Sequence, residues 1–207
     1  MRFHNHLGAR LRRPFILGLT GSIGMGKSTA ARMFEREGVP VFDADAEVHR
    51  LQGPGGALVA AIEARFPGTT GPHGVDRQKL GAHVLGNTHE LAALEAIVHP
   101  AVAKAQHRFL MRHRARGVVI LDIPLLFEKG GWRGVGAIAV VSAPVWMQTK
   151  RVMRRAGMTR AKLKAIRHLQ VPDRVKRARA DFVIETGRPK SYTRRQIRAI
   201  ASCFRAR

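Results

Sequence analysis

A chain of 207 residues, 45% hydrophobic, is long enough for one α/β core with appended elements and too short for two full domains. Its 37 lysines and arginines against 14 acids give a formal charge of +23, which favours anionic partners and exceeds what one small-molecule site requires. No apolar stretch approaches a membrane span, the opening MRFHNHLGARLRR lacks the apolar centre of a secretory signal, and the lone Cys203 excludes an internal disulfide, so a cytoplasmic address without membrane attachment is expected.

Met1 to Arg13 reads as a basic, poorly ordered leader outside the core, which leaves residues 14 to 207 as a single domain. Phe15 to Leu19 is an apolar strand, and it runs directly into Gly21-x-x-x-x-Gly26-Lys27-Ser28 with a helix over Ala30 to Glu37. Strand, glycine-rich loop and helix in this order form a phosphate cradle, because glycines let the backbone curl until its N–H groups point inward and the helix start adds positive charge. In such a loop Gly21, Gly24, Met25 and Gly26 wrap the phosphates of a nucleoside triphosphate, and Lys27 bridges the β- and γ-phosphates. Ser28 offers a hydroxyl to Mg²⁺, and Thr29 braces the α-phosphate or the helix start. A glycine turn before an ordinary helix is the alternative; the strand and helix on either side argue for the cradle.

Val39 to Asp43 is a second short strand ending in an acid, and Asp43-Ala44-Asp45 sets two carboxylates at its mouth with His49 one helical turn beyond Asp45. Either carboxylate could accept a proton from an acceptor hydroxyl. Asp43 reads equally as a helix cap, so Asp45 is the better base. About seventy residues of mainly helical pattern follow, from Ala44 to Arg116, broken by turns at Gly53 to Gly56 and Pro67 to Gly74. That is too much for one crossover and predicts a helical subdomain that recognises a second substrate.

Val118 to Asp122, Ala137 to Val141 and Phe182 to Glu185 complete the strands. Asp122 closes an apolar run in the manner of an acid that holds Mg²⁺ through water, or else it caps the turn that follows. Pro144 to Val171 carries two basic helical stretches around Gly157-Met158-Thr159 and reads as a lid over phosphates. Lys150 to Arg179 holds twelve Lys and Arg with only Asp173 opposing and lacks the aromatics that nucleic-acid binders interleave with such charge. After Glu185 there is no acid at all, and a solvated helix face is the plainer reading of that tail. The economical assembly is an α/β fold: five parallel strands with helices on both faces and active residues at the carboxyl ends of the strands.

Taken together, GLTGSIGMGKST (Gly18 to Thr29), VFDADAEVH (Val41 to His49), LEAIVHPAV (Leu94 to Val102), DIPLLFE (Asp122 to Glu128), QTKRVMRRAGMT (Gln148 to Thr159) and the stretch from Gln170 to Thr186 resemble the dephospho-coenzyme A kinase family from Phe15 to Ile200. The phosphate loop is common to many NTPases, whereas DADxxxH, His-Pro and DxPLLFE in this order are far more specific. The resemblance implies a P-loop kinase fold and ATP- and Mg²⁺-dependent phosphorylation of the ribose 3′-hydroxyl of dephospho-coenzyme A, the last step of coenzyme A synthesis. It also implies Asp45 as the base, Arg155 in the lid over the phosphates, with Arg151 and Arg154 as adjacent competitors for that place, and a substrate-side or hinge role for His99, beside which Pro100 should kink its helix. Glu128 could face the substrate pocket, with His49 and Asp45 also on the substrate side.

Two features depart from the family pattern. Ala156 and Ile166 stand where family members commonly carry an acid and an arginine, with Arg167 as a substitute displaced by one residue. Glu185-Thr186-Gly187 replaces an Asn-containing turn near the adenine. The charge of +23 keeps a rival from another class in view, a nucleic-acid-stimulated NTPase or RNA-associated P-loop protein. A nucleoside or nucleotide kinase shares fold and loop but not the DADxxxH and DxPLLFE motifs.

Overall fold

The computed structural model describes residues 14–128 and 130–204; the basic leader expected over Met1 to Arg13 lies outside them. The chain divides into two compact units, one taking residues up to Val41 and again from Leu110, the other Phe42–Phe109.

The first unit is built on β1 (Phe15–Thr20) and α1 (Lys27–Arg36), with β2 starting at Val41 (Val41–Asp43). The second unit holds α2 (Ala44–Gln52), α3 (Val59–Arg65), β3 (Thr70–Gly71), β4 (Gly74–Val75), α4 (Arg77–Val84) and most of α5 (Thr88–Arg112). The chain then continues through β5 (Val118–Asp122), a 3-10 turn at Gly131–Gly134, β6 (Ala137–Ser142), α6 (Val145–Met153), α7 (Arg160–Leu169), α8 (Asp173–Ala178), β7 (Phe182–Glu185) and α9 (Lys190–Cys203).

Among the described residues the main sheet has five strands in the order β2-β5-β1-β6-β7. β1 pairs in parallel with β5 and with β6, and β6 in parallel with β7, which is the expected parallel sheet. β1 is central, with chain connections leaving it to both sides, so the loop after β1 sits at the point where strand order reverses. Open α/β sheets bind their ligands there.

Alternation along the buried strands explains the layers. In β6, Ala139 and Val141 join Leu17, Leu19, Val118, Ile120 and Ile184 in one core with Met33 and Phe34 of α1 and Ile197, Ile200 and Ala201 of α9. Ile138 and Val140 point the other way, into a smaller cluster with Leu126. A strand covered on both faces reads as a continuous apolar run, as Val118–Asp122 does. The Phe15 and Phe204 rings stack with centroids 4.8 Å apart, which ties the end of α9 to the start of β1. β2 begins at Val41 rather than Val39 because Pro40 has no N–H for a ladder, although its carbonyl accepts from Ile120 N at 2.9 Å.

The second unit has its own core of Leu51, Leu58, Ile62, Phe66, Leu80 and Val84, against which Leu94, Ile97 and Val98 of α5 pack. Its turns are not purely helical connections: β3 and β4 form a small antiparallel hairpin. The Glu63 carboxylate anchors that hairpin by accepting from Gly68 N at 2.7 Å and Thr70 Oγ1 at 2.7 Å. α5 runs from Thr88 to Arg112 with Pro100 inside it. No helix among the described residues is long and apolar enough to cross a membrane.

Candidate active site

β1 ends with Thr20, whose buried hydroxyl donates to Pro124 O at 3.2 Å and so fastens the strand end to the segment after β5. The chain then turns through Gly21 to Gly26 and enters α1 at Lys27, with Gly26 capping at φ 97°. Gly24 takes φ 75°, and a Cβ there would stand 2.5 Å from Val152 Cγ2. The glycine-rich sequence is therefore required both by backbone conformation and by the close approach of α6.

This loop opens on a cavity of about 500 Å³ lined by Ser22, Gly24, Gly26, Lys27, Ser28 and Thr29, with Arg151 and Arg155 from the α6 side, Arg188 from the segment before α9, and Lys190 and Thr193 from the start of that helix. Five cations around one cavity suit a polyphosphate. Gly21 and Met25, expected to wrap the phosphates, do not line it. A Cβ on Gly21 would meet Val141 O at 2.7 Å, so its smallness serves the sheet. The Met25 side chain is buried in the main core, and its sulfur accepts from Ala143 N at 3.2 Å.

Lys27 Nζ is paired with Asp122, whose side chain is 1% exposed at the carboxyl end of β5. Ser28 is exposed at the first turn of α1. A serine hydroxyl and a carboxylate are the hard oxygen donors that Mg²⁺ takes together with phosphate oxygens and water, so these residues fit that ion chemically. Among the described residues there is no cluster of three or more His, Cys, Asp or Glu able to hold a metal on side chains alone.

The arginines of α6 divide their work. Arg151 donates from Nη2 to Thr186 O at 2.6 Å and from Nη1 to Thr186 Oγ1 at 3.0 Å, while the Thr186 hydroxyl donates to Met25 O. Arg155 is exposed and lines the cavity without an acidic partner among the described residues; Arg154 does not line it. Arg167, read from sequence as a displaced substitute, spends its guanidinium on Gln148 Oε1 at 3.0 Å from Nε and 2.6 Å from Nη2.

Glu128 is largely enclosed. Its Oε1 accepts from Val171 N at 2.9 Å and lies 2.8 Å from Nζ of the fully buried Lys176. Burial pushes the carboxyl up, but the Lys176 ammonium and the Val171 N–H outweigh it and hold Glu128 below the usual carboxylate range. This pairing ties the segment after β5 to α8, a role that DIPLLFE does not announce.

Within the second unit, Asp43 caps α2 by accepting from Ala46 N at 2.9 Å. Asp45 is exposed in the first turn of that helix and has no hydrogen bond or ion pair among the described residues. His49 Nε2 accepts from Arg77 Nη1 at 3.2 Å, and His99 is exposed on α5. Of the two adjacent acids, Asp43 has its carboxylate engaged as the helix cap and Asp45 is uncommitted.

Sequence reasoning missed Arg151 and Thr186 as partners of the loop, and the start of α9 as a cavity wall. Lys190 and Thr193 stand in a tail that reads only as basic, whereas Arg151 was visible as a neighbour of Arg155 but not separable from it.

The central parallel sheet, the glycine loop at its reversal point and the cationic cavity over that loop define a P-loop kinase. Solved structures agree: a protein from Thermus thermophilus, TT1252, superposes with TM-score 0.80 at 35% identity, covering 92% of this chain and 97% of that one. Shikimate kinase from Aquifex aeolicus shares the fold at TM-score 0.54 and 16% identity over 93% of this chain and 98% of its own. The family model described as dephospho-CoA kinase matches residues 15–189. Dephospho-CoA kinase of Novosphingobium aromaticivorans is 56% identical over 195 residues, 94% of this chain and 97% of that protein. The Zymomonas mobilis dephospho-CoA kinase is 51% identical over 189 residues, 91% and 96% of the two chains. The chain belongs to the dephospho-CoA kinase family.

Proposed function

We propose that this protein is an ATP-dependent dephospho-CoA kinase that transfers the γ-phosphoryl group to the ribose 3′-hydroxyl of dephospho-coenzyme A. The observation that carries this reading is the cationic cavity over the glycine loop in a chain of this family. Backbone N–H groups of the loop and the Lys27 ammonium hold the triphosphate, and Arg155 offsets charge that builds up on the transferring group. Ser28 and Asp122 would hold Mg²⁺, which supplies neutralisation of the phosphate oxygens. Asp45 orients the acceptor hydroxyl and takes its proton, a role supported by an uncommitted carboxylate in the first turn of α2. His49 and His99 belong to the acceptor side in this reading, while Glu128 holds α8 through Lys176 rather than facing the acceptor. The segment from 144 to 171 acts as the lid and the helical insert grips the acceptor, which keeps water away from the phosphoryl group.

ATP-to-ADP conversion with and without dephospho-coenzyme A, with mass spectrometry of the acceptor, tests the reading. Acceptor-dependent turnover that gives coenzyme A supports it; ATP consumption that leaves the acceptor unphosphorylated overturns it.

The charge supports a side activity, sequence-independent binding of nucleic acid. Arg160, Lys164, Arg174, Arg177 and Arg179 are exposed and have no acidic partner among the described residues. Retention on single-stranded RNA that falls steeply as salt rises supports it, and salt-independent or absent retention overturns it.

A further inference from the structure

Ile23, in the middle of the phosphate loop, is gripped at both of its backbone polar groups by side chains from distant segments. Its N–H donates to Gln170 Oε1 at 3.1 Å, and its carbonyl accepts from Gln148 Nε2 at 2.8 Å. These two groups belong to successive peptide planes, so the two glutamines fix the orientation of both. Gln148 lies on α6 and is 3% exposed; Gln170 immediately follows α7.

A glutamine amide works here only one way round. Turned over, it would set Oε1 against the Ile23 carbonyl, oxygen to oxygen. Arg167 removes that option. Its guanidinium has only donors, and Nε at 3.0 Å with Nη2 at 2.6 Å both meet Gln148 Oε1, while Nη2 also donates to Thr149 Oγ1 at 2.9 Å. With Oε1 held, Nε2 must face Ile23.

The consequence falls on Gly24. In a trans peptide the carbonyl and the next N–H point in opposite directions. Holding Ile23 O toward Gln148 therefore turns the Gly24 N–H away from α6, at a residue that itself lines the cavity. That N–H has no hydrogen-bond partner among the described residues.

We propose that Gln148 and Arg167 are positioning residues that aim the Gly24 N–H at the nucleotide's phosphates, with Arg167 acting through Gln148 rather than on the phosphate. The proposal rests on the reading of the loop as the nucleotide site. Its substance is a coupling between α7 and the loop: when α7 moves, the Gln148 amide loses its orientation and the loop loses its aim.

The test uses the full chain and the variants Arg167→Ala, Gln148→Ala and the double variant, with ADP affinity by calorimetry, KM for each substrate, and thermal unfolding. Each single variant is expected to weaken ADP binding and raise KM for ATP by about tenfold, with KM for dephospho-coenzyme A unchanged. The double variant is expected to lose no more than the worse single, because one residue works through the other. Additive losses would mean that Arg167 contacts phosphate independently and would overturn the proposal. Unchanged ADP affinity in the singles would do so too, as would equal losses for both substrates in step with a lowered Tm. ADP affinity is read without any acceptor, so absence of dephospho-coenzyme A phosphorylation in the wild type would sink the assigned reaction while leaving the clamp measurable.

Discussion

Lys27 forms an ion pair with Asp122, joining the start of α1 to the carboxyl end of β5. The lysine is 16% exposed and the aspartate 1%, so the pair is shielded from salt and water. A triphosphate entering the loop must compete with this carboxylate for the ammonium. Asp122→Asn is expected to lower the Tm of the ligand-free protein, because it leaves a half-enclosed cation without its counter-charge. It should also lower kcat by more than about tenfold while ADP gives a larger thermal shift than in wild type. Thermal shift with and without ADP, together with initial rates, checks both parts.

Asp45→Asn should leave the fold intact, since the side chain is exposed and the cap of α2 is Asp43. Loss of a general base is expected to reduce kcat by about 10² to 10⁴, with ADP affinity unchanged. Asp43→Asn keeps an acceptor at the cap and should change turnover far less. If the two variants behave alike, the base assignment fails.

Gly24→Ala places a Cβ 2.5 Å from Val152 Cγ2 at a residue with φ 75°. The strain should cost about 1–3 kcal/mol and displace the loop from its nucleotide-binding shape. Calorimetry with ADP is expected to register little or no binding, and a variant with wild-type affinity would show that the loop tolerates the displacement.

The Glu128–Lys176 pair gives an acid-side signature. Because Glu128 is held below its ordinary value in the folded protein, its contribution is complete above about pH 4.3 and is lost as pH falls through the folded value. Glu128→Gln leaves the Lys176 ammonium buried without its counter-charge and should destabilise the protein by about 3 kcal/mol near neutrality. Thermal unfolding across pH should place the two proteins furthest apart near neutrality and draw them together in acid.

Much of the first unit was legible in sequence because its signals are local. Phe15 to Lys27 states strand, turn and helix start within one stretch, and Val118–Asp122 is an unbroken apolar run because both of its faces are covered. The helix α8 was not read, since six residues rich in charge carry too few apolar positions to show a period. The contacts that hold the loop were illegible for another reason. Gln148 lies 125 residues from Ile23 and Gln170 lies 147 residues from it, and a glutamine within a basic helix carries no mark of the backbone group it will meet. Thr186 was noticed only as a departure from an expected asparagine, yet its hydroxyl and carbonyl both receive Arg151.

The family match ends at residue 189, one residue before α9 begins. That helix nevertheless supplies Ile197, Ile200 and Ala201 to the main core, while Lys190 and Thr193 line the cavity over the glycine loop, and Phe204 just beyond it stacks on Phe15. A fragment cut at residue 189 would therefore expose the apolar flank of α1 and remove part of the wall of the cavity over the glycine loop. For expression, tagging or grafting of this enzyme, the unit that must travel together is set by the closing helix rather than by the end of the family model.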